Sequence, residues 1–109
     1  MTIRIEPFPR PHWSPLPFEG CRGVEGIVLA REGDFFIAML RFDRDATIHE
    51  HPGEADTIVI CIEGEGFTSV AGETAPLRKG QTVRWPRNVA HRLWTEESTM
   101  RTLMVEGHT

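Results

Sequence analysis

The chain is poor in the features that most readily betray a function. It has only two cysteines, Cys21 and Cys61, and they do not form a metal-type pair spacing. Two reduced thiols in a cytoplasmic protein are therefore expected. The 12 Lys and Arg are scattered, with Arg78-Lys79 the one adjacent pair, among 16 Asp and Glu, giving a net charge of -4. No basic stripe results, which argues against a nucleic-acid partner. The longest apolar runs, Phe35–Leu40 and Ile58–Ile62, are far too short to cross a bilayer. No basic stretch leads into an apolar run at the N-terminus, so a signal peptide is not expected. No segment keeps a 3.6-residue apolar period, so little helix is expected. There is no glycine-rich phosphate loop, no local Ser-His-Asp or Cys-His motif, no internal repeat and no low-complexity tract.

What is present fits one small globular domain. A length of 109 residues sets a prior of one domain with a modest core. The hydrophobic share of 39% and charged share of 26% suit a globular rather than a disordered chain. Residues 7–18, PFPRPHWSPLPF, hold five of the eight prolines. Proline lacks the backbone donor that a helix or central strand needs. Residues 1–22 are therefore read as an extended arm, anchored by Trp13, Leu16 and Phe18, lying over the domain or reaching a neighbouring subunit. Residues 23–109 read as short strands broken by glycine turns. The expected strands are Val24–Ala30, Phe35–Phe42, Ala46–His51, Thr57–Ile62, Phe67–Ala71, a strand about Leu77, Thr82–Trp85, His91–Thr95 and Met100–Glu106. Strands spaced in this way argue for an all-β sandwich or barrel.

The chemistry starts at HEH. Alternate side chains of a strand share a face, so His49 and His51 point the same way, about 7 Å apart, and Glu50 points away. Two imidazoles at that separation can converge on one metal ion, although solvent-facing histidines would give the same pattern. A second segment, GQTVRWPRNVAHRLW, places Gly80, Pro86 and His91 in order.

Together, HEH with its trailing Gly64 and the Gly80–Pro86–His91 segment resemble the two motifs of the cupin superfamily. The resemblance covers about residues 35–106. Asp43 stands where the first motif has its opening glycine, Asn88 replaces the second-motif glycine, and Thr95 takes the place of its final Asn. Asn tolerates positive φ better than most residues, so the turn at Asn88 can survive. The resemblance implies a single-domain jelly-roll β-barrel of two antiparallel sheets, open at one end. It also implies that His49, His51 and His91 ligate one divalent transition metal: Fe, Mn, Ni, Cu or Zn. Neutral imidazoles suit these metals, and three of them leave positions open for water and substrate.

The fourth ligand is where the chain departs from the family. Counting forward from His51 to the expected Glu reaches Asp56, whereas counting back from Gly64 reaches Thr57. The PGEADT segment is thus about one residue out of step. Asp56 is the first candidate as ligand and as proton acceptor, brought inward by a bulge. Glu54 reaching in from the loop, or a three-histidine site with no carboxylate, are the alternatives. Cys61 faces the interior or not according to the same register.

The other residues have plainer readings. Met39 and its neighbours on the strand before HEH are read chiefly as core, with substrate shaping open for Met39. Trp85 and Trp94 are read as packing, and His12 and His108 as solvent-exposed. The expected function is a metal-dependent enzyme on a small oxygenated substrate, either a quercetinase-like oxygenase or an isomerase or lyase. The alternative is a non-catalytic binding or sensing cupin. A cytoplasmic homodimer is expected, with a small-molecule ligand and no nucleic-acid or membrane partner.

Overall fold

A computed structural model describes residues 2–107, so His108 lies outside the described residues. The described residues form eight strands: β1 (Arg10–Pro15), β2 (Arg22–Glu32), β3 (Phe35–Pro52), β4 (Asp56–Val70), β5 (Glu73–Arg78), β6 (Thr82–Trp85), β7 (Ala90–Trp94) and β8 (Met100–Gly107). All pairings are antiparallel.

Two long strands build both walls of the barrel. The first part of β3 pairs with β2 and β8, and its last part pairs with β7. The first part of β4 pairs with β8 and β6, and its last part pairs with β5 and β7. One sheet therefore reads β1-β2-β3-β8-β4-β6 and the other β3-β7-β4-β5. Where the sequence predicts two strands with a turn between them, each of these is one strand with a bend.

Each bend has a local cause. Asp45 adopts a φ of 53°, which Asp tolerates, and its N–H donates to the Glu96 carbonyl at 2.9 Å. Thr95 then staples the corner: its hydroxyl accepts from Ala46 N–H at 3.0 Å and donates to the Asp43 carbonyl. In β4, Gly64 has a φ of 71°, and a Cβ there would lie 2.0 Å from the Thr99 carbonyl oxygen. Gly64 thus permits a close strand crossing rather than a hairpin turn.

The core follows the strand alternation. Leu40, Phe42, Ala46, Ile48, Val59, Cys61, Trp85, Leu93 and Met100 form one buried cluster inside the barrel. In β4 the residues Thr57, Val59 and Cys61 face inward, while Ile58, Ile60 and Ile62 are half-buried on the outer face. Burial pushes the Cys61 thiol pKa up, as suits an inert core cysteine.

The proline-rich arm contributes β1 as an edge strand on β2. Its missing N–H groups are tolerated at an edge. Trp13 is half-buried beneath the Arg41 guanidinium, 4.3 Å from the ring centroid, and Leu16 packs against the core cluster. Phe18 differs from its expected role as an anchor, because it is 60% exposed. Both cysteines are free, with Cys61 buried and Cys21 partly exposed. Among the described residues, no helix is long and apolar enough to cross a membrane.

Candidate functional site

The barrel is filled at one end and open at the other. The open end holds a cavity of about 830 Å³ whose wall includes His49, His51 and His91. Its lining is largely apolar, with Leu16 and Phe18 from the arm, Phe36 and Leu40 from β3, and Met104 from β8. Volume and lining are those of a small-molecule site.

A bulge sets the two β3 histidines. Ile48 pairs with Leu93 and His51 pairs with His91, with a register slip between the two pairs. His49 and Glu50 therefore face the single residue Arg92. A bulge re-aims side chains, and here Ile48, His49 and His51 all reach the cavity wall. The sequence expects a bulge near PGEADT that turns Asp56 inward; the bulge in the structure lies earlier, at HEH on β3.

The three rings form a continuous group. The His49 and His51 centroids lie 4.5 Å apart with the rings stacked, and His51 and His91 lie 4.6 Å apart edge-on. Trp85 stacks on the outer side of His91 at 4.0 Å, and its Nε1–H donates to Thr68 Oγ1 at 3.1 Å. His51 Nδ1–H donates to the His49 carbonyl at 2.9 Å, and His91 Nδ1–H to the Val89 carbonyl at 3.2 Å. A carbonyl only accepts, so both rings carry a proton on Nδ1, and in the neutral form of each ring the lone pair is on Nε2. His91 is 4% exposed, and its pKa falls to about 4. Burial is the main cause, with the neighbouring His51 and His49 adding to it against the Val89 carbonyl. His91 is neutral at pH 7 and ready to act as a ligand.

The donor chemistry suits a transition metal, since imidazole nitrogen is its preferred protein ligand. The ring orientations are not those of a bound ion. Among the described residues, no three His, Cys, Asp or Glu side chains converge as a metal ion requires. The stacked His49 and His51 rings would have to turn their Nε2 edges toward a common point.

Asp56 is not brought to the histidines. The register that turns Thr57, Val59 and Cys61 inward turns Asp56 outward. Its Oδ1 accepts from Arg87 N–H at 2.9 Å, on the exposed side of the turn before His91. That turn is held again by Asn88 N–H on the Gly53 carbonyl at 2.8 Å, and Asn88 has the expected positive φ, 63°. Asp56 thus tethers the two motif loops to each other from outside. Glu54 does line the cavity, from an exposed position.

The sequence reading missed Glu106. Along β8, Met100, Thr102, Met104 and Glu106 share one face, and Met104 and Glu106 line the cavity. Cross-strand pairing sets Trp85, Thr57, Glu106, Phe36 and Arg31 in one row. Of the cavity carboxylates Glu32, Glu54 and Glu106, only Glu106 is partly buried. Inward alternation counted along the last strand was the available signal. Met39 lies on the other face of β3 from Ala38 and Leu40 and does not line the cavity. Cys61 faces inward but into the filled half. Trp94 stacks on Phe67 at 5.8 Å, as a packing residue, and His12 is exposed.

Comparison with known proteins agrees with this geometry. The Cupin domain family profile matches residues 36–106. No curated protein sequence matches. Among solved structures, the polyketide cyclase RemF from Streptomyces resistomycificus is 18% identical, with a TM-score of 0.83, covering 98% of this chain and 80% of that one. A cupin-like protein from Thermotoga maritima is 19% identical, with a TM-score of 0.76, covering 97% and 81%. A conserved protein of unknown function from Streptococcus pyogenes is 23% identical, with a TM-score of 0.72, covering 79% and 75%. At such identities the likeness speaks for the fold and leaves the reaction open. With two bent strands shared between sheets, an open apolar end and a profile match over most of its length, the chain belongs to the cupin family.

Proposed function

We propose that this cupin is a metal-dependent enzyme acting on a small oxygenated substrate bound in the open end of the barrel. The observation that carries the proposal is the group of three imidazoles in the cavity wall, two of them fixed by backbone carbonyls with Nε2 free. His49, His51 and His91 are the proposed ligands of one divalent ion: Fe, Mn, Ni, Cu or Zn. Such an ion, when bound, supplies Lewis acidity and open positions for substrate oxygens. The apolar wall holds the carbon skeleton and excludes water. Proton transfer, which the sequence assigns to Asp56, falls instead to Glu106 or Glu54, the carboxylates on the cavity side. The reaction is of the quercetinase-like oxygenase kind, or an isomerisation or elimination on an enol, catechol or hydroxy-ketone.

A second reading is a non-catalytic ligand-binding cupin. It is favoured by the outward position of Asp56, whose carboxylate accepts from Arg87 N–H on the exposed side of the turn. Metal analysis of protein purified without chelator tests the shared premise, with about one ion per chain expected and none fatal to both readings. Oxygen uptake with catechols, flavonols and 1,3-diketones in each metal form then separates enzyme from binder. A binder changes its metal spectrum with ligand but consumes no oxygen.

The proposal extends to a cytoplasmic homodimer. Ile3 and Ile5 are 83% and 90% exposed, and alternate in sequence with Arg4 and Glu6, which pair with each other. An apolar row of this kind is suited to burial against a second copy. Light scattering should give a dimer that deletion of residues 1–18 weakens; a monomer unchanged by the deletion would refute it.

A further inference from the structure

The three histidines differ in what holds their far nitrogen. His51 and His91 each have Nδ1 on a backbone carbonyl, which fixes the tautomer. His49 Nδ1 instead meets Cys21 Sγ at 3.3 Å. A thiol is both a weak donor and a weak acceptor, so this contact can run either way. If the thiol donates, His49 carries its proton on Nε2 and has no lone pair for a cavity ion. If Nδ1–H donates to sulfur, Nε2 is free.

The chain around Cys21 is built against this histidine. Gly20 has a φ of +87°, and a Cβ there would sit 2.8 Å from His49 Cβ. Cys21 N–H donates to the Phe18 carbonyl at 3.2 Å and closes the turn at the end of the arm. Glycine is needed twice over, for the positive φ and for the close approach. The backbone of this turn limits where the His49 ring can go, and the Cys21 sulfur meets the nitrogen that remains on its outer edge.

We infer that Cys21 is the positioning residue of His49: its sulfur accepts the Nδ1 proton and so frees and aims Nε2 toward the cavity. The inference rests on the metal reading proposed above. It makes the arm part of the site, because the residue that prepares one of the three imidazoles comes from the segment before the barrel. Partners of this kind behind a ligating histidine change metal affinity by about 10- to 100-fold when removed.

The test is Co(II) titration of wild-type protein, Cys21→Val and Cys21→Ser, followed by visible absorption, with thermal unfolding of each metal-free protein. Valine removes the acceptor and fills its space against water, whereas serine restores an acceptor. Binding should weaken about 10- to 100-fold in Cys21→Val and stay within a few-fold of wild type in Cys21→Ser, at similar unfolding temperatures. Wild-type affinity in a folded Cys21→Val protein would overturn the inference and leave the metal reading standing. Failure of wild-type protein to bind Co(II), Zn(II), Ni(II), Mn(II) or Fe(II) would sink both. A sulfur-to-cobalt charge-transfer band in wild type, lost in both variants, would overturn positioning in favour of direct ligation.

Discussion

Lowering the pH of the metal-free protein should destabilise it through His91. The side chain is 4% exposed and its pKa is about 4, against an ordinary value of 6.5. A base with a lowered pKa in the folded state is neutral there and gains its proton on unfolding. Its contribution is therefore fully present above pH 6.5 and is lost as pH falls toward 4. Linkage over that interval gives about 2 kcal/mol lost between pH 7 and pH 5. Because the cavity is open to water on one side, the expected range is about 1 to 2 kcal/mol. For a domain of this size, that corresponds to a fall in Tm of roughly 4 to 16 °C. Urea unfolding at pH 7, 6 and 5 for wild-type protein and His91→Gln isolates the effect, since glutamine does not titrate. The wild type should lose the stated stability relative to the variant. Parallel pH dependence of the two proteins would mean that His91 is not held neutral by its site, and the ligand-ready state argued from it would fall.

Other expectations concern neighbouring groups. Asp56→Ala should cost about 1 kcal/mol in urea unfolding by leaving Arg87 N–H without its carboxylate, and should leave the metal-to-protein ratio unchanged. Loss of the metal from a folded Asp56→Ala protein would return Asp56 to the ligand set. Thr102→Val should stabilise the fold by about 1 kcal/mol, because the Thr102 hydroxyl is fully buried and, among the described residues, has no hydrogen-bond partner. A lower Tm for that variant would show that the hydroxyl has a partner after all. Trp85→Phe should cost about 1 kcal/mol through the lost bond to Thr68, whereas Trp85→Ala should cost about 3 to 5 kcal/mol through the cavity it leaves against His91. Equal Tm values for the two variants would contradict the stacking account.

The strands were legible because burial on one face imposes a period of two, which Thr82–Trp85 shows plainly, and because Ile58–Ile62 is an unbroken apolar run of strand length. Their joins were not. Gly64 and Asp45 look like turn residues, and only the nearby Thr99 carbonyl and the Thr95 staple show that the strands continue. HEH predicted the right face for an incomplete reason. An ideal strand and a bulged one both bring His49 and His51 to the cavity, and the bulge becomes visible only against β7. Asp56 was misplaced because motif counting was the only guide to its face. Ile58, Ile60 and Ile62 are as apolar as Val59 and Cys61, so the run reads as buried on both faces, and only the observed burial of Thr57, Val59 and Cys61 sends Asp56 outward. Glu106 could have been found by extending the same alternation along β8. The Cys21 contact could not, since 28 positions separate it from His49 and no local pattern links them.

The two bent strands also govern how the molecule can come apart. Each sheet draws two of its members from β3 and β4, so neither sheet is a separable layer. Opening the β7 side of β3 loads the corner at Asp45 and passes strain to the β2 and β8 pairings across it. Units that share strands in this way lack independent opening modes, and the barrel is expected to exchange its amide protons as one block. Two of the three site histidines lie on β3 and the third on its partner β7, inside that block. The backbone at these imidazoles is therefore expected to exchange with the slowest-opening part of the described residues. Motion that admits a ligand is left to the edge strand β1, which pairs with β2 alone.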